Sequence, residues 1–322
     1  MIPSGEQKGG SLFLVGPPRS GTKLLQSILN ASPQVSIGPE SHIFSRLLLE
    51  YGDVSLEGYR QELYWTLAHS HFWERLRRNG FPKELHSLLG PVDNVPDLIH
   101  LFFQEIALWK EKYYAAWIGD KTPNYIRWTP LFRKYFPDAR FIMIVRDPRD
   151  QALSVRNTWG KDPLLAAERW KRDLSILHEA SQHAPDRYFY LRYEDLLEDP
   201  EGSLGRLSEY LNISFDEAML EASAPEKFGS GKDVKGVLHE NHRKYQKGFR
   251  PERIRRIEEI TLPLIKEWGY PVHYAKSSGS IGPVYRGVAK GMDFLQNVRF
   301  NLKHRGIIRG SRYLIRIRRD KA

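Results

Sequence analysis

Apolar positions along the chain change rhythm several times, and the changes mark out its elements. Residues 11–15 are a short, nearly continuous apolar run, 16–21 a turn containing Gly and Pro, and 22–30 a helical pattern, so the chain opens as strand, loop and helix. Residues 34–37 predict a second strand. From 41 to 112 the period lengthens: Leu98, Ile99, Phe102, Phe103 and Ile106 recur at helical spacing and aromatics crowd 59–73, which predicts a helical insertion. Strand-like runs return at 116–119, 139–145 and 187–193, set between helical stretches at 125–135 and 163–183; in the second of these Ala167, Trp170, Leu174 and Leu177 share one face. Ile254, Ile257, Leu264, Ile265 and Trp268 predict a final amphipathic helix. Such alternation predicts an α/β fold with a central parallel sheet of about five strands, one domain over 1–275, then a Gly/Ser-rich linker and a tail over 276–322.

Charge sharpens the division at the tail. The net charge of +10 over 322 residues is almost wholly local, since residues 285–322 hold eleven Lys/Arg against two Asp. The remaining 284 residues hold 38 Lys/Arg and 37 Asp/Glu and are nearly neutral. The tail interleaves its cations with Phe294, Leu295, Val298, Leu302, Ile307, Ile308 and Leu314, so it suits an anionic membrane surface or docking on the body, and a solvated basic arm is the simpler alternative. Nucleic acid is disfavoured as a partner, because no aromatic platform or known module accompanies the charge. The absence of cysteine removes disulfides, thiolate zinc sites and cysteine nucleophiles. No apolar run matches a leader or a membrane span, so a cytoplasmic protein is expected, peripheral to a membrane if the tail binds one.

The first candidate site is Gly16-Pro-Pro-Arg-Ser-Gly-Thr-Lys23, between a strand and a helix, where backbone N–H groups and the helix dipole converge on an anion. It nearly fits the nucleoside-triphosphate loop GxxxxGK[ST], but Thr22 and Lys23 stand in reverse order, which argues against Mg²⁺–ATP chemistry. The second is Phe141-Ile-Met-Ile-Val-Arg-Asp-Pro-Arg149. It places Arg146 directly after a buried strand, with Ser154 eight residues on. Ligands of parallel sheets bind beyond the carboxyl ends of strands, so two anion sites would open on one cleft. Taken alone, Arg146 and Asp147 would also suit a surface ion pair.

Together, PPRSGTKLL at 17–25, IVRDPRDQALS at 144–154 and LRYEDLLEDP at 191–200 resemble the sulfotransferases that use 3′-phosphoadenosine 5′-phosphosulfate (PAPS), in particular the branch with tyrosylprotein, carbohydrate and bacterial members. The resemblance implies a P-loop NTPase-like three-layer fold and a transferase of the EC 2.8.2 type, with PAPS as co-substrate, 3′,5′-adenosine bisphosphate (PAP) as product and no metal required. It implies that Arg19, Ser20, Gly21, Thr22 and Lys23 hold the phosphosulfate and that Arg146 and Ser154 hold the 3′-phosphate. Glu40, in Ile37-Gly-Pro-Glu-Ser41, matches the family's catalytic base, and Lys121, in Gly119-Asp-Lys-Thr-Pro123, the lysine that steadies the transferring sulfate. His242-Arg-Lys-Tyr-Gln-Lys-Gly248 resembles the segment closing over the nucleotide, which nominates Arg243 and Lys244; Tyr245 stands where the family often has Trp.

Sulfuryl transfer demands alignment and charge stabilisation, which Arg19, Lys23, Lys121 and the loop N–H groups would supply, and a base for the acceptor's proton. Glu40 is the choice for base and His42 its competitor; an extended segment would disfavour both serving together. His42 would otherwise be a surface or helix-cap histidine. Tyr193 either contacts the nucleotide or packs in the core, and Tyr64, Trp65, Phe72 and Trp73 are expected to be mostly core. The acceptor class stays open among sugar, lipid, phenol, peptide tyrosine and small natural product. The rival functions are a nucleotide kinase or hydrolase on the same loop, and a non-catalytic nucleotide-binding membrane adaptor.

Overall fold

The computed structural model describes residues 9–222, 241–307, 310, 311, 313 and 314. Five strands, β1 (Gly10–Val15), β2 (Val35–Gly38), β3 (Trp117–Lys121), β4 (Arg140–Val145) and β5 (Tyr188–Arg192), form one parallel sheet in the order β2-β3-β1-β4-β5. Successive side chains of a strand point to opposite faces, and in the central strands β1 and β4 both faces are covered, which is why their sequences are almost wholly apolar. Leu12, Leu14, Ile142 and Ile144 enter one core, while Phe13, Val15, Phe141, Met143 and Val145 enter the other.

The first core is closed by α1 (Thr22–Ala31), α10 (Tyr193–Glu198), α11 (Pro200–Leu211) and α12 (Ala218–Glu221). The second lies under the insertion expected at 41–112, which is α2 (Phe44–Tyr51), α3 (Arg60–Ala68), α4 (His71–Arg78), α5 (Leu85–Leu89) and α6 (Val95–Trp109), and under α7 (Thr129–Tyr135) and α9 (Pro163–Gln182). A third cluster locks α8 (Pro148–Trp159) and α9 to α13 (Tyr245–Gly248) and α14 (Pro251–Thr261). An Asp-Pro dipeptide opens α8, α9 and α11. The two residues divide the work in the same way each time: Asp147, Asp162 and Asp199 accept from the N–H groups of Arg149, Leu164 and Gly202, and the proline occupies a position whose N–H has no helical partner.

Two expected helices are each two pieces, both for want of a proline N–H. The stretch 125–135 is a 3₁₀ turn, Pro123–Arg127, followed by α7, which restarts at Thr129 with Pro130 in its first turn. The final helix divides at Pro263 into α14 and α15 (Leu264–Glu267). The start of the basic tail departs from a solvated arm: α16 (Pro283–Arg305) docks on α8 and α9. Tyr285 Oη donates to Asp162 Oδ2 at 2.6 Å, Arg286 pairs with Glu168 at 2.6 Å, and Ala289 is buried. Among the described residues no helix is long and apolar enough to cross a membrane.

Candidate active site

Five of the candidate elements lie at or just beyond the carboxyl end of a strand, so the strand order becomes an order of functional groups. Glu40 follows β2, Lys121 ends β3, the 16–23 loop follows β1, Arg146 follows β4, and Tyr193 follows β5. The row therefore reads carboxylate, lysine, anion loop, arginine, tyrosine along the carboxyl edge of the sheet, where parallel sheets bind their ligands.

The loop's shape depends on two glycines. Gly16 and Gly21 have φ of 153° and 97°, and a Cβ on them would come within 2.5 Å of Ile144 O and of the Tyr193 ring respectively. Arg19 also sits in the left-handed region, at φ 71°, a strained conformation for a residue with a side chain. What holds it there comes from α8: Gln151 Nε2 donates to Pro18 O at 2.7 Å, and Arg19 Nε donates to Ser154 Oγ at 3.1 Å. Thus Ser154, expected on the 3′-phosphate, joins the two motifs by accepting from the loop arginine. The Arg19 guanidinium lies 5.8 Å from the centre of the Trp159 ring. Ser20 is fully buried, and its hydroxyl has no hydrogen-bond partner among the described residues.

At the β2/β3 end, Glu40 accepts from Lys121 Nζ through one oxygen and meets His42 Nε2 at 3.0 Å through the other. Glu40 and His42 thus form a hydrogen-bonded pair, because the segment is not extended at His42. His42 adopts φ 58°, which turns the chain back on itself. Nor is His42 a surface histidine: its side chain is 12% exposed and its Nδ1 is buried, whereas Glu40 is 25% exposed. Burial pushes the Glu40 carboxyl up, but the Lys121 charge and the bonds from His42 and Lys121 prevail and hold it well below the usual carboxylate range. Desolvation in the cleft and the charge of Lys121 lower Lys23; Glu40 opposes this and Arg19 and Arg75 add to it. Arg75 comes from α4, so the insertion contributes a cation to the same field.

Behind Glu40 is a buried knot invisible in the sequence patterns. Ser41 Oγ donates to Asp120 Oδ2 and shares a 2.6 Å bond with Tyr125 Oη; Thr122 Oγ1 donates to Asp120 Oδ1 at 2.9 Å, and Phe44 N donates to Tyr125 Oη at 3.1 Å. This ties the β2 exit to the β3 exit and sets Glu40 beside Lys121. Burial raises the Asp120 carboxyl from 3.8 to about 7, against the bonds from Ser41 and Thr122. Since the folded-state value is the higher one, ionising Asp120 costs stability as pH rises from 3.8 to about 7. Asp120→Asn should therefore melt progressively higher relative to wild type across that window, and a difference independent of pH would show that Asp120 does not titrate there.

At the opposite end Arg146 is not a surface partner of Asp147. It is 7% exposed, Nη2 donates to Asn241 O at 2.8 Å, and the guanidinium lies 4.7 Å from the centre of the Tyr193 ring, while Asp147 pairs with Arg149 at 2.6 Å. Tyr193 begins α10 and packs in the core, and its Oη accepts from Asn241 Nδ2 at 2.7 Å beside Arg146. Arg146 Nε is buried with no hydrogen-bond partner among the described residues. Asp150 accepts from Tyr245 N at 2.8 Å, and Arg149 stacks 4.3 Å from the Tyr245 ring centre, which anchors the 243–248 segment on α8. The Arg243 and Lys244 side chains are exposed on the turn before Tyr245. Phe72 and Trp73 are core, as expected, but Trp65 is 54% exposed.

The sequence matches the Sulfotransferase family over residues 11–217. The chain belongs to that family. The matched span runs from the second residue of β1 through β5 and contains every group in the row described above. Protein-tyrosine sulfotransferase 1 of Danio rerio is 27% identical over 220 residues, 65% of this chain and 55% of that protein. Nodulation protein NoeE of Sinorhizobium fredii is 26% identical over 189 residues, 58% of this chain and 40% of that protein. The chain thus spans about half the length of these two curated relatives. The sulfotransferase domain of the Synechococcus PCC 7002 olefin synthase superposes with a TM-score of 0.56 at 21% identity, covering 82% of this chain and 95% of that one. The sulfotransferase domain of the curacin biosynthetic pathway gives 0.53 at 18%, covering 82% and 99%. These likenesses establish the α/β fold with its central parallel sheet.

Proposed function

We propose that this protein transfers a sulfuryl group from PAPS to an acceptor hydroxyl. The observation that carries the proposal is the strand-end row: a carboxylate and a lysine at one end, an anion loop in the middle, and a buried arginine beside a tyrosine at the other. Two buried polar groups, Ser20 Oγ and Arg146 Nε, stand without protein partners among the described residues at two anion positions, which suits a ligand with anionic groups at both. Arg19, Lys23 and the loop N–H groups would hold the phosphosulfate, Arg146 the 3′-phosphate, and Tyr193 with the 243–248 segment the remainder of the nucleotide. Ser154 acts through Arg19. Glu40 takes the proton as the acceptor oxygen bonds to sulfur and the sulfur–oxygen bond to the nucleotide phosphate breaks, while Lys121 faces the charge on the peripheral sulfate oxygens.

The acceptor hydroxyl would enter beside Glu40, under the helical insertion, where Arg75 adds positive charge. A peptide tyrosine belongs among the first acceptors to screen, given the names of the relatives. A kinase or hydrolase reading has less support, because Lys23 occupies the place of the hydroxyl that would hold Mg²⁺. Calorimetric titration with PAP, ATP–Mg²⁺ and 5′-AMP tests the donor site. PAP alone should bind tightly, and Arg146→Ala should weaken it about 10–100-fold, as loss of a charged hydrogen-bonding partner does. Preference for ATP–Mg²⁺ would overturn the reading.

A further inference from the structure

The helix α16 has one face that packs and another that does not. Tyr285, Arg286, Ala289 and Asp293 face the body, where Asp293 Oδ1 accepts from Asp162 N at 2.7 Å. Val284, Val288, Met292 and Leu295, spaced four, four and three residues apart, form a stripe exposed to 79%, 59%, 52% and 61%. Arg299 continues the stripe one turn later and Lys303 flanks its end, both exposed. The helix belongs to the segment whose eleven Lys/Arg face only two Asp. We infer that this stripe is a docking surface for an anionic lipid bilayer, with the valine, methionine and leucine side chains entering the acyl boundary and the cations meeting head groups.

Charge selects this occupant. A second copy of the chain would bring the same basic segment against itself, so the cations oppose an α16–α16 interface. A nucleic acid would satisfy the cations and leave the four apolar side chains in water. An anionic bilayer satisfies both, and the combination of an apolar stripe with cations at its end is that of an interfacial helix. The lengthwise fit agrees: the helix spans 23 residues, yet only one side of it is apolar, so it lies along a surface. It also adjoins the site. Gln296 packs against Gly160, directly after Trp159, whose ring lies by Arg19, and Tyr313 meets His71 of α4 edge-on at 4.9 Å between ring centres. A bilayer on the stripe would thus be felt on both shores of the cleft.

Flotation of the full chain with vesicles tests this without requiring turnover, so its outcome is separate from the sulfuryl-transfer reading. The protein should float with phosphatidylcholine vesicles containing phosphatidylglycerol, more weakly with phosphatidylcholine alone, and less as salt rises. Val288→Asp with Leu295→Asp should weaken anionic-vesicle binding about tenfold or more, and Arg299→Glu with Lys303→Glu should remove the preference for phosphatidylglycerol. Both pairs lie on exposed positions, and melting curves matching wild type establish that the fold is kept. Failure to float, or flotation unchanged in the aspartate variant, overturns the proposal. So does light scattering that shows a dimer dissolved by the same aspartates, or RNA binding that the vesicles do not compete away.

Discussion

Glu40→Gln should lower kcat for sulfuryl transfer by about 10²–10⁴-fold while PAP affinity stays within about twofold of wild type. The side chain keeps its shape and its place at the end of β2, so what is lost is the ability to accept a proton. His42 does not replace it: His42 Nε2 already engages Glu40, and its Nδ1 is buried away from solvent, while Glu40 keeps a quarter of its surface open. His42→Gln should accordingly have the smaller effect, through the position of Glu40. Because the carboxyl is held well below its ordinary value of 4.5, the base is ionised throughout the neutral range, and wild-type kcat should not fall near the ordinary glutamate value as pH is lowered. Equal losses in Glu40→Gln and His42→Gln would transfer the role of base to the histidine. A loss of PAP affinity in Glu40→Gln would mean that it shapes the donor site instead.

The parts of this site that were legible in the sequence are those encoded locally. A strand buried on both faces is an apolar run, and an anion loop is a Gly-containing turn before a helix; each is written in adjacent residues. The positions of Glu40, Lys121, Arg146 and Tyr193 after strands followed from the same runs, and the sheet order then put them in a row. What was not legible depends on residues far apart in the chain. Ser41, Asp120 and Tyr125 form a buried knot only because β2 and β3 are neighbours in the sheet. Arg19 reaches Ser154 only because α8 runs beside the loop, so the serine's position was visible and its partner was not. The breaks at Pro130 and Pro263 were locally encoded and show proline prevailing over a persistent apolar period. For α16, charge and apolar content were evident, but which side packs on Asp162 and Glu168 is decided by the body.

Lys121→Met should lower kcat by about 10²–10³-fold, the usual cost of removing one preorganised group that faces developing charge. It should also leave a second mark that a merely structural lysine would not. Lys121 is 1% exposed and its ammonium meets Glu40, where burial favours the neutral acid and the lysine charge is the leading opposing influence. Without that charge the Glu40 carboxyl rises, a larger fraction is protonated at a given pH, and the acid limb of the kcat profile moves upward. In the proposed reaction the lysine would have two duties at one end of the row. It would keep the base ionised before transfer and face the sulfate as its oxygens gather charge; any shift of the ammonium toward the sulfate would leave Glu40 more basic as the proton departs. Lys121→Arg should recover much of the pH profile, since it restores the charge, but less of kcat, since a guanidinium does not place its charge as an ammonium does. An acid limb unchanged in Lys121→Met would confine the lysine to the sulfate, and an unchanged kcat would remove it from the transfer altogether.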